Sequence, residues 1–385
     1  MPAAVFAAKA PALVEVQVYP PNINLSTKQD RQTIVVQASY SDGVTRDVTA
    51  EAKYTLGNKA LVKLDKAVFR PLADGSTDVK VSFGGKSLTV PVKVEKAGVE
   101  EPISFSKDVV PAFSKAGCNT GSCHGASRGK DGFRLSLFGY DPDGDFKRVT
   151  REQLTRRINL AIPEESLIVE KGAGLVPHTG GQTFKPGDEL YATVVRWLQD
   201  GALADKEKVA SVDHLEIYPK QSVLEGKGAK QQIIVRAVYT DGTDRDVTSL
   251  AVFASNNDVA AKVDKVGLVT ADARGEAFIT ARYEAHTVGV QTLVVPKGQQ
   301  FTFPPVKENN YVDTLVHNKL KKLRILPSEV CDDATFLRRV YLDIIGLLPT
   351  PEEVRKFVGD PSTGKRELVV DAEASILAAA DSQCR

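Results

Sequence analysis

The chain has 385 residues, of which 42% are hydrophobic and 26% charged, with 50 Lys plus Arg against 49 Asp plus Glu. That length corresponds to three or four domains of about 100–150 residues. The even charge balance gives no basis for a nucleic-acid surface or a basic membrane anchor. No apolar run approaches the roughly 20 residues of a transmembrane segment. Four cysteines, two of them Cys331 and Cys384 near the end, are too few for a disulfide framework.

The chain opens MPAAVFAAKAPA, and its patch Ala3–Ala8 resembles the tail of a secretory signal without a basic n-region. Residues 1–12 are therefore read as a leader remnant. A repeat follows. Tyr40–Thr49 reads YSDGVTRDVT and Tyr239–Thr248 reads YTDGTDRDVT. The same offset aligns Tyr19-Pro20 with Tyr218-Pro219 and Gln32 with Gln231, so one domain has been duplicated. Residues 13–97 and 208–297 are the two copies. In each, a strand of alternating character (Ile34, Val36, Ala38 and Tyr40; Ile233, Val235, Ala237 and Tyr239) implies one buried face. Asp42-Gly43 and Asp241-Gly242 then supply the positive φ of a tight hairpin. Later strands are expected over 79–83, 87–94, 277–283 and 287–295, which together fit a β-sandwich. The Tyr-Pro opening, the Y-x-D-G-x-x-R-D-V-T turn and the late Val-rich strands resemble bacterial immunoglobulin-like domains of group 2. That resemblance implies spacer or adhesion modules without catalytic residues, and a surface or matrix ligand for the β-domains.

Between the copies, residues 98–207 lose strand alternation. Helices are expected at Ser106–Gly117 and Gly187–Gly201, the latter with Asp188 as N-cap and Leu190, Val194, Trp197 and Leu198 on one face. The string CNTGSCHG places Cys118, Cys123 and His124 in a C-x4-C-H arrangement. Covalent haem attachment needs two thiols for the two vinyl groups and an imidazole directly after the second thiol. The usual spacing is C-x-x-C-H, and Gly121 offers backbone freedom for the longer spacer. Two other readings use the same residues: a zinc site of Cys118, Cys123, His124 and His178, and a disulfide. Cytochromes c commonly place Met opposite the His, but Met1 is the only Met. His178, in VPHTGG, is the only other His between 98 and 205. Iron held here would be bis-His, or His with a weak or absent sixth ligand. Phe113, Phe133, Leu135, Leu137, Phe138, Leu175, Val194, Trp197 and Leu198 are candidate pocket residues or ordinary core. The run SFSKDVVPAFSKAGCNTGSCHGASRGKDGFRLSLFGYDPDGDF, with NLAIPEESLIVEK and VPHTGG, resembles the planctomycete-type cytochrome c domain over residues 103–201. The resemblance implies thioethers at Cys118 and Cys123 and a proximal ligand at His124.

Residues 298–385 read as a linker and a truncated helical domain, with amphipathic stretches at Tyr311–Leu323 and Ala334–Leu347. Residues 309–371 resemble the start of a planctomycete-type domain of unknown function. Asp141–Asp145 reads as a turn, because Phe146 stands where a calcium loop needs Gly. His214, His286 and His317 have no partner at metal-ligand spacing.

The expected fold is therefore multidomain: two all-β immunoglobulin-like sandwiches flanking an all-α cytochrome c-like domain, with a partial helical C-terminal region. The expected function is an exported, periplasmic or cell-surface c-type cytochrome. It would carry one haem c and pass electrons to or from a redox partner protein, as a carrier more than a catalyst. The alternative is a cell-surface binding or scaffold protein in which the haem is structural or sensory. A third reading makes the late helical region the start of a catalytic domain.

Overall fold

The computed structural model describes residues 10–153, 156–205, 209–299 and 301–383, with side chains inside the last helix to residue 375. Most of the leader remnant and Cys384 lie outside the described residues.

The first repeat contributes β1 (Leu13–Tyr19), β2 (Ile23–Leu25), β3 (Gln32–Thr33), β4 (Val35–Tyr40), β5 (Thr45–Asp47), β6 (Lys53–Leu56), β7 (Val62–Asp65), β8 (Val68–Pro71), β9 (Gly75–Phe83) and β10 (Lys86–Val94). These pair as β1-β4-β5, β2-β10-β9-β6 and β3-β8-β7. The second repeat has β11 (Val212–Tyr218), β12 (Gln221–Glu225), β13 (Lys230–Gln232), β14 (Ile234–Tyr239), β15 (Asp244–Asp246), β16 (Val252–Ser255), β17 (Ala261–Val263), β18 (Leu268–Ala271), β19 (Gly275–Tyr283) and β20 (His286–Val295). Its sheets repeat the same order: β11-β14-β15, β12-β20-β19-β16 and β13-β18-β17. Alternation explains the packing. Val79, Val81, Val90, Val92 and Val94 are buried on β9 and β10, while Lys80 and Lys93 between them face out. Each repeat closes over its own apolar core.

One strand departs from the sequence expectation. Alternation in β4 implies one buried face, yet both faces are covered: Val35 is 0% exposed and Gln37 4%. The second face packs on the other repeat, where Val35, Ile234, Tyr218 and Tyr19 form a shared cluster. The rings of Tyr19 and Tyr218 stack at 5.2 Å. The polar bonds around them are reciprocal. Thr33 N donates to Asp246 Oδ2 at 2.7 Å, and Gln232 N donates to Asp47 Oδ2 at 2.9 Å. Gln37 Nε2 donates to Gln221 O, and Arg236 Nη1 donates to Asn22 O. Because each residue meets the counterpart of its own partner, the repeats are joined as an isologous pair within one chain. Periodicity cannot reveal this, because polar residues that would face water are instead hydrogen-bonded by the second copy.

The expected all-α cytochrome c-like domain is not what the chain forms. The structure is mostly β-sandwich sheet with some helices, and residues up to 303 make one compact unit together with 321–324. Within it, residues 98–205 supply only short helices: α1 (Val110–Ala116, preceded by a π-turn at Phe105–Val109), α2 (Pro142–Thr150), α3 (Leu167–Ala173) and α4 (Glu189–Gln199). No helix lies between Gly117 and Ser136. The physical reason is chain punctuation. Gly117 and Gly174 adopt left-handed φ and end α1 and α3 after seven residues each. What holds the segment is an apolar cluster around Phe105, Phe113, Val194, Trp197 and Leu198. Phe105 packs on Trp197 at 5.1 Å and edge-on to Phe146 at 5.3 Å.

The second unit comprises residues 304–320 and those from 325 onward. Its helices are α6 (Asp333–Ile344), α7 (Pro351–Gly359) and α8 (Lys365–Gln383), and most of α5 (Tyr311–Leu323). A capping box of Thr350 and Glu353 starts α7. Asp333 pairs with both Lys365 and Arg366 at 2.6 Å, which ties α6 to α8. Among the described residues, no helix is long and apolar enough to cross a membrane.

Candidate functional site

The Cys-His string begins where α1 ends. Gly117, at φ 82°, donates its N–H to Phe113 O and Ser114 O, so the chain turns out of the helix at Cys118. The loop then closes on itself: His124 N donates to Cys118 O at 3.0 Å and Gly125 N to Thr120 O at 3.0 Å. Leu135 N donates to His124 O at 2.8 Å, fixing the loop to the extended segment that follows. Gly125 is needed for contact. A Cβ there would lie 2.1 Å from Asn119 O. Gly121 is exposed, and its φ lies outside the left-handed region, so the freedom expected of it is not used.

His124 and His178 come together across a cleft. Their rings are parallel to within 8°, with centroids 6.2 Å apart. Each ring is held by a backbone carbonyl at Nδ1. His124 Nδ1 lies 2.9 Å from Phe133 O, and His178 Nδ1 lies 3.0 Å from Gly181 O. A carbonyl only accepts, so both Nδ1 atoms carry a proton, and Nε2 is the ring nitrogen each could offer to a ligand. The VPHTGG string makes the second ring's seat: Gly181 N donates back to His178 O at 2.9 Å, with Gly181 at φ 68°. Burial lowers the pKa of His124, a bond to Phe133 partly opposes this, and the charge of His178 lowers it further. His124 is thereby held neutral, the form that binds a metal.

Cys118 lines the cleft with both histidines, and Phe113, Phe133 and Leu135 form part of its apolar wall. Leu137 and Leu175 are exposed instead, and Val194, Trp197 and Leu198 sit in the core. Sequence reasoning missed Leu167 and Ile168 at the start of α3, and Phe184. The pair Leu-Ile after the Ser166 N-cap was the available signal. Gly172 makes room for Phe184, since a Cβ at 172 would meet its ring at 2.2 Å. Also missed were the cations in its lining, Lys130, Arg156, Arg157 and Lys171. Arg157 is buried, stacks on Phe133 at 4.4 Å, and donates to the carbonyls of Arg148, Glu152 and Gly132.

Cys118 and Cys123 are free thiols, not joined to each other. Burial pushes the Cys118 thiol up to about 12, against a smaller opposing bond from Thr183. By exposure both cysteines are half-buried. Among the described residues, no three His, Cys, Asp or Glu side chains converge to hold a metal ion. The set Cys118, Cys123, His124 and His178 is therefore not assembled as a four-ligand site in this arrangement. The Asp141–Asp145 turn is structural: Asp141 caps α2, and buried Asp145 accepts from Ser136 N at 2.6 Å and from Arg148 Nη1 at 2.9 Å.

The fold and site thus define a chain of two packed β-sandwich repeats with a His-His-Cys cleft between them in sequence, followed by a helical unit. Residues 311–378 of that chain match the PSCyt2 family, described as a protein of unknown function (DUF1549). No curated protein matches the sequence. Among solved structures, domains 5–6 of the S-layer protein SbsC are 12% identical, with 74% of this chain and 99% of that chain covered and a TM-score of 0.28. Human protocadherin-24 EC1-2 is 7% identical, covering 74% and 100%, with a TM-score of 0.17. The development factor IMP-L2 is 8% identical, covering 73% and 94%, with a TM-score of 0.24. The resemblance is low throughout, and the β-sandwich assignment rests on the chain's own strand pairing.

Proposed function

We propose that the cleft binds one haem, with His124 and His178 as axial ligands, and that the protein transfers electrons through it outside the cytoplasm. The observation that carries this is the parallel imidazole pair with both Nδ1 atoms committed to backbone carbonyls. Metal-bound histidines ordinarily donate their second ring nitrogen in this way. Both rings line one cleft with centroids 6.2 Å apart, so both could hold a single group bound there. Among the described residues no third such ligand joins the pair, which suits a metal whose remaining ligands come from a macrocycle.

The protein's own residues do the rest. Phe133 O and Gly181 O fix the tautomers. Phe113, Leu135, Ile168 and Phe184 give the cleft an apolar wall. Cys118 and Cys123 supply the thiols for covalent attachment, which is a process of the exported compartment. When bound, the iron supplies one-electron chemistry, and two imidazoles set its potential below that of a His/Met pair.

The test is expression with haem-maturation machinery, followed by an in-gel haem stain under denaturing conditions and a pyridine haemochrome spectrum. Denaturation-resistant haem is expected, and His178→Ala should shift the absorption spectrum. Absence of covalent haem overturns the attachment, and an unchanged His178→Ala spectrum overturns the axial assignment.

A second reading, a binding scaffold built on the β-repeats, is favoured by one separate feature: an open groove between them.

A further inference from the structure

The His-His cleft has an apolar wall, but its charge is one-sided. Lys130, Arg156, Arg157 and Lys171 line it against a single carboxylate, Asp131. Arg157 is accounted for. It is 6% exposed, donates to three backbone carbonyls, stacks on Phe133 and lies 3.7 Å from Glu152. It is part of the wall. The other three differ: among the described residues, no carboxylate pairs with Lys130, Arg156 or Lys171.

Two of the three are seated beside the imidazoles. Phe133 O accepts from Lys130 N and from His124 Nδ1, both at 2.9 Å. Lys171 Nζ donates at 3.3 Å to the carbonyl of Pro177, the residue before His178. The third, Arg156, is exposed and stands near Arg157, whose pKa burial lowers, Glu152 raises and Arg156 lowers further. Leu167, Ile168 and Lys171 lie on one face of α3, because positions one and four apart share a side of a helix. That face is apolar in its first turn and cationic in its second, and all three residues line the cleft. Like charges gathered against an apolar wall repel one another and lose hydration, so an anion placed among them is stabilising. The complementary ligand is apolar over most of its body and anionic at one edge.

We infer that Lys130, Arg156 and Lys171 form a carboxylate subsite of the cleft, which pairs with the two propionates of a haem. The inference rests on the haem reading and adds to it a requirement for the anionic form of the ligand. Axial coordination by His124 and His178 makes no such requirement, so the two can be tested apart.

The probes are haem, haem dimethyl ester and metal-free protoporphyrin IX, titrated into the full chain produced without haem-maturation machinery. Binding is read by porphyrin absorption and by quenching of Trp197, the only Trp. Haem should bind about tenfold or more tightly than its dimethyl ester, the worth of one or two charged hydrogen bonds. Added salt should weaken haem and leave the ester unchanged. In the triple variant Lys130→Gln, Arg156→Gln and Lys171→Gln the preference should vanish while the affinity for the ester stays. Arg157 is kept, so the triple variant should melt with the parent. Arg156→Gln alone, at an exposed position, should still lower the preference by about threefold, which keeps the test open if the triple variant is unstable. His178→Ala should weaken haem and its ester alike and leave protoporphyrin IX unaffected. Equal binding of haem and ester by the parent, or a preference that the triple variant retains, overturns this inference and leaves the haem reading standing. Binding of no porphyrin overturns the haem reading and this inference with it.

Discussion

Gly125→Ala is the sharpest test of the Cys-His loop. A Cβ at 125 would stand 2.1 Å from Asn119 O and 2.8 Å from Thr120 O, both backbone atoms that cannot rotate away. The loop must therefore shift by about 1 Å to restore ordinary contact. Three hydrogen bonds depend on its present position: His124 N to Cys118 O, Gly125 N to Thr120 O, and Leu135 N to His124 O. At about 0.5–1.5 kcal/mol net each, their loss amounts to about 2–4 kcal/mol. For a unit of about 300 residues that lowers the melting temperature by about 3–6 °C. Trp197 reports on it locally, being the only Trp and 1% exposed in the core of the same segment. The control is Gly121→Ala, whose Cβ meets only Leu137 Cδ1, at 3.8 Å. Fluorescence-monitored melting of the haem-free chain should show a large fall for Gly125→Ala and none for Gly121→Ala. Equal melting of the two variants would refute the steric account of the loop.

Three further predictions concern groups away from that contact. In the haem-free chain at pH 8, iodoacetamide followed by peptide mass spectrometry should modify Cys123 well before Cys118, whose thiol desolvation raises to about 12; equal rates would contradict the raised thiol. Glu284 is raised to about 7, mainly by desolvation, with Lys107 opposing. A carboxyl whose folded pKa is raised contributes stability below its unfolded value, and that contribution is lost as pH rises through the folded value. Stability should thus fall between about pH 4.5 and 7, and Glu284→Gln should flatten that slope, gaining roughly 2 kcal/mol at pH 8 in urea denaturation. Asp47 and Asp246 each bridge to the other repeat's backbone and to the Thr two residues on. Asp47→Ala and Asp246→Ala should each cost about 2–4 kcal/mol through buried donors left without acceptors, and near-equal losses in denaturant titrations would reflect the reciprocal interface.

The sequence by itself determined the local structure and the chemistry-bearing residues. Alternating Val and Ile required strands in both repeats, because a β-strand presents every second side chain to one face. The Asp-Gly turns followed from the need for positive φ. His124 and His178 were legible as a pair because the chain offers only one other imidazole in that segment and no usable Met. Local punctuation also limited the helices, but its weight was misjudged. Gly117 and Gly174 cut α1 and α3 to seven residues, so the segment that resembled an all-α domain became a loop-rich insertion in a mostly β unit. The backbone freedom expected of Gly121 is not used, and the loop's glycine requirement falls instead on Gly125 for a different reason, the close approach of Asn119 O, which depends on the path of the whole loop.

Tertiary structure alone decided the rest. The cleft wall mixes residues from α1, the loop after it, α3 and Phe184, which no spacing along the chain connects. The cations in its lining look like solvated charge in the sequence, since nothing local marks Arg157 as buried. The covering of both faces of β4 depends on the second copy arriving about 200 residues later. Periodicity records which face of a strand is apolar. It does not record what will come to lie against the other face, because that is fixed by contacts between segments remote in the chain.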